Sequence, residues 1–454
     1  MIVPINVIEI CKTLQAAGFE AWLVGGAVRD SLLNKEAHDW DIATNALPNK
    51  VRSLFKQVIL TGLKHGTVTV IINNQQFEIT TYRGEDNYTD GRRPDEITFL
   101  QTIEEDLARR DFTINSIAYN PLSNEFKDPY GGMVDLNNKI IRAVGDPKRR
   151  FNEDGLRILR AARFAATLEF NIELNTLLAI RTALSTYAKI SLERVHDEWL
   201  KAMCARTPSI AFNIMNKQGI LDVTVPEFVP MFGCAQNRHH KYDVWTHTML
   251  TVDNCPQCDP ILRVAALFHD IGKPIVKNID EATNDATFYQ HEVIGAELTG
   301  EILYRLKFSN ENKERITHLV RHHYIRYQSD WSDPTIRRWV RRVCAEHVES
   351  LCALARADII AKGLDIDYGL NLIDEFENRI HGLNKVSPIV TTPKLLAVNG
   401  KDIMDCLDIK SGPEVGVVLK NLMDIVTENP TFNTKEELLK IVSYLKKDNN
   451  ASNS

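Results

Sequence analysis

The sequence predicts an α+β protein in which a small head of strands and short helices precedes a long, all-helical body. Three observations carry that expectation. Between about Ala21 and Asp135, short β-branched runs alternate with turns. From Glu153 onward the apolar residues recur at helical spacing almost without interruption, as in Leu156, Ile158, Leu159, Ala162 and Phe164. The 454 residues exceed what one ordinary core accommodates and point to about three domains.

Taken in order, Trp22-Leu23-Val24, Thr67 to Ile72 and Phe77 to Tyr82 read as strands, the last two joined as a hairpin through Asn73-Asn74. Pro226, Pro230 and Gly233 punctuate the helical body, a His-rich helical region runs from His239 to about Lys362, and Pro388 to Pro393 marks a further joint. The expected divisions are a head over 1–145, a neck and body over 146–235, the His-rich domain over 236–385, a helical tail over 386–445, and a polar, disordered end over 446–454.

Composition narrows the class. The 44% hydrophobic and 25% charged residues are those of a soluble globular protein. No apolar run approaches the ~20 residues of a membrane span. Met1 to Phe19 has no basic start, and Glu9 and Lys12 break its apolar residues, unlike a secretory signal. Eight scattered cysteines are too few for a disulfide scaffold and fit a reducing compartment, so a cytoplasmic location is expected. Cys255-Pro-Gln-Cys258 has no second CxxC to complete a zinc site and reads as incidental thiols. The net charge of −6 argues against wholesale nucleic-acid binding, yet Arg142 to Arg163 holds seven Lys/Arg against three acids. An acidic chain with one basic stripe suits a protein that binds phosphates at one place.

The first chemical signal is Gly25-Gly26 after a strand, with Arg29 one turn into the following helix. Glycines let the backbone approach phosphate oxygens, and a guanidinium can bind them. In Asp39-Trp40-Asp41-Ile42 the strand period puts both carboxylates on one face. Glu78, between the inward-facing Phe77 and Ile79, can complete a set of three hard oxygen ligands suited to Mg²⁺ and to nucleotidyl transfer.

Gly25 to Asp30 followed by Asp39-x-Asp41 resembles the head of the class II tRNA nucleotidyltransferases and bacterial poly(A) polymerases, of the polymerase-β-like superfamily. The resemblance continues through Arg92-Arg93-Pro94, Asp106 to Asn115, Asp128 to Gly132, Asp135-Leu136, Ile141 to Pro147 and Glu153 to Arg160, in order over about 150 residues. Two departures are Asn34, where the family usually has Gly, and Gly155, commonly Pro. The resemblance implies a polymerase-β-like nucleotidyltransferase head and a flexible loop over Tyr82 to Pro94 needed for A addition; Arg109 and Arg110 are the candidates for triphosphate contact, with Arg110 preferred. It also implies that Glu153-Asp154-x-x-Arg157 selects the base in place of a template.

That selection has a physical rationale. On a helix, Asp154 and Arg157 stand three apart and share a face. A carboxylate only accepts hydrogen bonds and a guanidinium only donates them. Cytosine and adenine both present an amino donor beside a ring-nitrogen acceptor, whereas uracil and guanine invert both positions, so one pair can accept C and A and leave U and G unpaired. Arg160 and Arg163 continue the row toward base or phosphates. Ile190 to Val195 resembles a further family helix and reads as structural.

The second signal is a set of histidines and aspartates on expected helices: His247, His269-Asp270, His291, His322-His323 and Asp358. Leu267 to Lys273 is similar to the signature of the HD phosphohydrolase superfamily, with Asp358 as its last ligand. Such groups can bind a divalent transition metal or a metal pair whose bound water becomes a nucleophile. The sequence does not choose between His322 and His323; His322 is taken as the ligand. The resemblance implies phosphomonoesters or 2′,3′-cyclic phosphates as substrates.

The expected activity is CCA addition to the 3′ end of tRNA from CTP and ATP, with an HD phosphohydrolase behind it. The tRNA would lie along the helical body, and no membrane is involved. An A-adding enzyme or poly(A) polymerase shares the same motifs. An HD phosphohydrolase with an RNA-binding head is the alternative from another class.

Overall fold

The head is built on the strands β1 (Trp22–Val24), β2 (Asp41–Thr44), β3 (Val58–Gly62), β4 (Thr67–Ile72) and β5 (Gln75–Thr81), followed by β6 (Arg83–Asp86), β7 (Glu96–Phe99), β8 (Ala118–Asn120) and β9 (Glu125–Lys127). In the computed structural model, which describes residues 1–37, 39–62, 66–86 and 96–451, seven of them form one sheet in the order β3-β4-β5-β2-β1-β8-β9, and β6 pairs with β7. The chain divides into two units, Met1–Val229 with Arg305–Phe308, and Pro230–Tyr304 with Ser309–Ser454.

The expected hairpin is present. Asn73 and Asn74 have φ of 52° and 62°, the left-handed pair that a two-residue turn requires and that asparagine tolerates. β5 buries Phe77 and Ile79 and exposes Gln76 and Glu78, as a half-covered strand should. β2 pairs with β5 in parallel through Ile42↔Ile79, so Asp41 and Glu78 each stand one residue before that pair. A cluster of Trp22, Val24, Ala43, Tyr82, Ile103, Leu107 and Ala118 anchors this end of the sheet. Asn34 takes φ 56° just past the helix Gly26–Leu32, which explains how asparagine serves where glycine is usual. Of the expected loop over Tyr82 to Pro94, Tyr82 is buried and Arg83–Asp86 is strand; residues 87–94, with Arg92-Arg93-Pro94, lie outside the described residues.

The body departs from expectation at one informative point. The helix Pro147–Glu153 ends before Asp154, which is extended at φ −144° and ψ 107°, and the next helix is Leu156–Leu168. Asp154 and Arg157 therefore do not share a helical face. The Asp154 carboxylate instead accepts the Leu156 N–H at 3.0 Å, which ends one helix and starts another. Gly155 is needed for close approach: a Cβ there would lie 2.6 Å from the Tyr187 backbone nitrogen. Leu156–Leu168 buries Ile158, Leu159, Ala161, Ala162 and Ala165 and packs on Leu192–Met203 and Ser209–Lys217. Trp199 sits edge-on to Phe212 at 5.2 Å.

The second unit is mostly helical, but Asn278–Asp280 and Asp285–Thr287 form a hairpin inside the region expected to be all helix. Asp280 accepts the Ala282 and Thr283 N–H groups at 2.9 Å each, and Asn284 has φ 50°, so turn chemistry overrides helical continuation. The tail has its own core, including Val398, Ile403, Leu422, Leu438 and Val442. Its last helix, Lys435–Ala451, runs past residue 446, where disorder is expected; helical order propagates at small cost once Leu438 and Val442 are buried. No described helix is long and apolar enough to cross a membrane.

Candidate functional site

Gly25, at φ 78° and ψ −139°, turns β1 into the helix Gly26–Leu32. A Cβ at Gly25 would lie 3.3 Å from both Asp41 Oδ2 and Arg110 Nη1, so glycine lets a carboxylate and a guanidinium close on the backbone together. Asp39 and Glu78 are exposed and Asp41 is half-buried. Burial pushes the Asp41 carboxyl up to about 6; Arg110 pulls it down, while Glu78 and Asp39 add to the rise. A half-buried carboxyl raised by two neighbouring carboxylates is a donor set a hard divalent cation would relieve. Their oxygens are not drawn into one tight group: among the described residues, the His/Cys/Asp/Glu groups within 4.8 Å of one another both lie in the second unit.

Around them, Arg29 donates through Nη1 to Asn115 Oδ1 and through Nε to Asp30 Oδ1, both at 2.8 Å. Arg110 reaches Asp106 Oδ2 at 3.3 Å, and its buried Nε has no hydrogen-bond partner among the described residues. The pair read as base-selecting is engaged elsewhere. Arg157 donates to Glu153 Oε2 at 2.8 Å and to the Arg109 and Arg150 carbonyls. Asp154 accepts from Arg194 at 2.8 and 3.2 Å. Arg160 bonds Asp111, and Arg163 bonds Glu198 at 2.5 Å. Burial works against the Asp111 charge, but Arg160 and Asn115 hold its carboxyl well below the usual range.

These groups line one cleft of about 500 Å³ that brings together Gly25, Gly26, Arg29, Asp41, Arg110, Asp154, Arg157, Arg160 and Arg163. Asp39 and Glu78 are not in its lining. With Arg109, Arg194 and Lys201, the lining holds eight cations against the carboxylates of Asp41, Asp111 and Asp154, an excess suited to a polyanion. Arg194 belongs to a helix that the motif reading treats as structural. Its only sequence signal is its place in the quoted Ile190 to Val195 segment.

In the second unit His247, His291 and Asp358, on three helices, converge with His269, Asp270 and His323, which follow the ends of two more. His247, His269 and Asp358 form one group, and Asp270, His291 and His323 another. The histidine that enters is His323, not His322. His323 Nε2 lies 3.3 Å from His291 Nε2, whereas the His322 ring turns away to sit 4.6 Å from His318. Adjacent helical residues point about 100° apart, so only one of the two can face the cluster.

The protonation pattern is mixed: burial holds His291 and His323 neutral, whereas at His269 burial is outweighed by the neighbouring Asp270, which raises the imidazole. His269, His291 and His323 each place Nδ1 2.7–2.8 Å from a backbone carbonyl, of Ala266, Phe288 and Val320 respectively, which puts a proton on Nδ1 and turns Nε2 into the cluster, as a bare lone pair in the neutral His291 and His323. Two bare nitrogens 3.3 Å apart, as in His291 and His323, repel unless a cation is present. Burial pushes His323 down to about 3, with His269 and His291 adding to the effect. Burial opposes the Asp270 charge, yet His269 and Lys273 hold that carboxyl well below the usual range. Neutral imidazoles and ionised carboxylates are the ligating forms. Lys273 and Lys362, 2.7 and 2.8 Å from Asp270 and Asp358, lie outside the ligand pattern; Lys362 could have been read from its place four residues after Asp358.

Comparison with known proteins finds family matches over both regions of the chain. Residues 21–142 match the poly A polymerase head domain, 169–232 the probable RNA and SrmB-binding site of polymerase A, and 244–363 the HD domain. The CCA-adding enzyme of Enterococcus faecalis is 33% identical over 96% of this chain and 94% of its own length. That of Lactobacillus helveticus is 47% identical over 50% of this chain, an alignment that spans 56% of the relative. The crystal structure of the Bacillus stearothermophilus CCA-adding enzyme in complex with CTP superposes with a TM-score of 0.72 at 25% identity, covering all of both chains. Fold and matches together define a nucleotidyltransferase joined to an HD domain. Within that class, the chain belongs to the CCA-adding enzyme family.

Proposed function

We propose that this chain adds CCA to the 3′ end of tRNA from CTP and ATP, in the cytoplasm, and that its HD centre is a metal-dependent phosphohydrolase. The observation that carries the first reading is the cleft gathering Asp41, Gly25, Arg110, Asp154 and Arg157 in a chain aligned end to end with a CCA-adding enzyme. No disulfide joins any of the eight cysteines among the described residues, in keeping with a reducing compartment.

The tRNA 3′-hydroxyl attacks the α-phosphate of the nucleotide, a new P–O bond forms, and pyrophosphate leaves. Asp39, Asp41 and Glu78 would hold Mg²⁺, which when bound supplies Lewis-acid stabilisation at the phosphoryl oxygens and a more acidic hydroxyl. Arg29 and Arg110 grip the triphosphate, Arg110 from the cleft wall beside Gly25. Asp154 and Arg157 read the base by exchanging partners: Asp154 gives up Arg194 and Arg157 gives up Glu153. C and A satisfy both released groups, whereas U and G leave them unpaired. Arg160 and Arg163 stay fixed by Asp111 and Glu198 and hold the field positive.

The head (1–145) carries the transfer, the body (146–235) the base reading and tRNA shape recognition, and 236–385 the HD centre. There His247, His269, Asp270, His291, His323 and Asp358 would hold a divalent transition metal.

The test is incubation with Mg²⁺, single labelled nucleotides and tRNA ending before CCA, after C, or after CC. Ordered addition of C, C and A with U and G refused is expected. Addition to the CC-ending tRNA alone would make the chain an A-adding enzyme, and unlimited A tails a poly(A) polymerase.

A further inference from the structure

Next to the His/Asp cluster, a second cavity of about 760 Å³ runs between the end of the helix Asn310–His322 and the helix Asp333–Val343. Its walls are Tyr324, Arg326, Arg338 and Arg342, with Trp331 half-buried beside them. Tyr324 and Arg326 also line the cavity of about 490 Å³ that opens on Asp270, His291, His323 and Asp358. The two hollows thus meet at one aromatic–guanidinium pair, with the Arg326 guanidinium 4.7 Å from the Tyr324 ring centre.

The charges are not all spoken for. Arg338 is paired with Glu428 at 2.6 Å. Arg326 and Arg342 are exposed and have no ion-pair or hydrogen-bond partner among the described residues. Unpaired guanidiniums in one groove with the rings of Tyr324, Trp331 and Trp339 match the phosphates and bases of a single strand. Guanidiniums bind phosphate oxygens in a fork, and bases stack on rings without regard to sequence. An acidic peptide would use the cations but not the ring faces, so nucleic acid is favoured. The groove also ends at a centre whose donors suit phosphate chemistry.

We propose that this groove binds the single-stranded 3′ end of an RNA and presents its terminal phosphate to the His/Asp cluster. This rests on the reading of that cluster as a phosphohydrolase. Arg342 lies away from the cluster and contacts the strand upstream, whereas Arg326 stands at the junction.

The test uses the full chain loaded with metal, an oligoribonucleotide octamer with a 2′,3′-cyclic phosphate end and a 4-thiouridine near it, and the corresponding mononucleotide. Ultraviolet crosslinking of the octamer is expected on peptides within 321–342. In Arg342→Gln the hydrolysis KM for the octamer rises about tenfold, as loss of a charge-assisted phosphate contact entails, and further in Arg342→Glu. The slope of log affinity against log salt falls by about 0.7. The mononucleotide KM and CCA addition at the head stay unchanged, which also shows that the variants fold. Hydrolysis with the same octamer KM in both variants and no crosslink in the groove would overturn the proposal and leave the HD reading intact. A groove crosslink without hydrolysis would sink the HD reading while the groove stands. Displacement of the octamer by a hexa-aspartate peptide at matched charge would make the groove a generic anion site and overturn its assignment to RNA.

Discussion

The head cleft and the His/Asp cluster are both suited to metal-dependent phosphate chemistry, but they are built in opposite ways. In the head, Asp39 and Glu78 are exposed and only Asp41 is half-buried, amid an excess of arginines. In the HD centre five of six groups are buried, and three of its imidazoles have Nδ1 held by backbone carbonyls. The first arrangement leaves coordination to be completed by a bound nucleotide; the second supplies nearly all of it from the protein. On the reading proposed above, an ion in the head would arrive as a co-substrate, and one in the HD centre would be a resident.

That contrast can be broken most sharply at Asp41. Asp41→Ala should lower nucleotide addition on the order of 10³-fold, the scale of losing charge stabilisation at the reacting phosphate, with HD hydrolysis untouched. Brief chelation followed by gel filtration should do the same to addition, reversibly on adding Mg²⁺, while elemental analysis still finds metal in the protein. Equal loss from both sites would end the distinction between co-substrate and resident.

The adjacent histidines come next. His323→Ala should weaken metal binding by more than about 100-fold, beyond what losing an outer-shell partner costs. His322→Ala should leave the metal content unchanged; the reverse result would mean the helix end is turned the other way.

At the body's side of the cleft, Asp154→Ala should cut discrimination against UTP and GTP by about 10- to 100-fold in kcat/KM ratios. Arg194→Ala should change the KM for CTP and ATP with discrimination preserved, because it removes only the competitor for Asp154. If both variants behave alike, Asp154 is there to hold Arg194. The smallest effect is structural: Gly155→Ala, with its Cβ 2.6 Å from Tyr187 N, should cost about 1–3 kcal/mol of stability by overpacking. Thermal melting would register it.

Features with a local cause were legible in the sequence. The Asn73-Asn74 turn depends only on what two residues can tolerate, whereas the alternation of Asp39-Trp40-Asp41-Ile42 was legible only in part, because the strand starts at Asp41 and leaves Asp39 exposed before it. Features decided at a distance were not. The helix break at Asp154 depends on the backbone of Tyr187, which sequence spacing does not reveal. The choice of His323 over His322 depends on how the last turn of a helix is rotated by its packing. The hairpin over 278–287 was visible in Asp280 and Asn284, but those signals were outweighed by the helical periodicity on either side.

The facing of His323 has an evolutionary corollary. One added or lost residue in the helix Asn310–His322 would rotate its end by about 100° and swing His323 out of the cluster. Relatives that keep the HD centre working can thus change that helix residue by residue, yet they should carry no single-residue insertion or deletion in it. Lineages in which such an indel is found would be those that have given up the second activity.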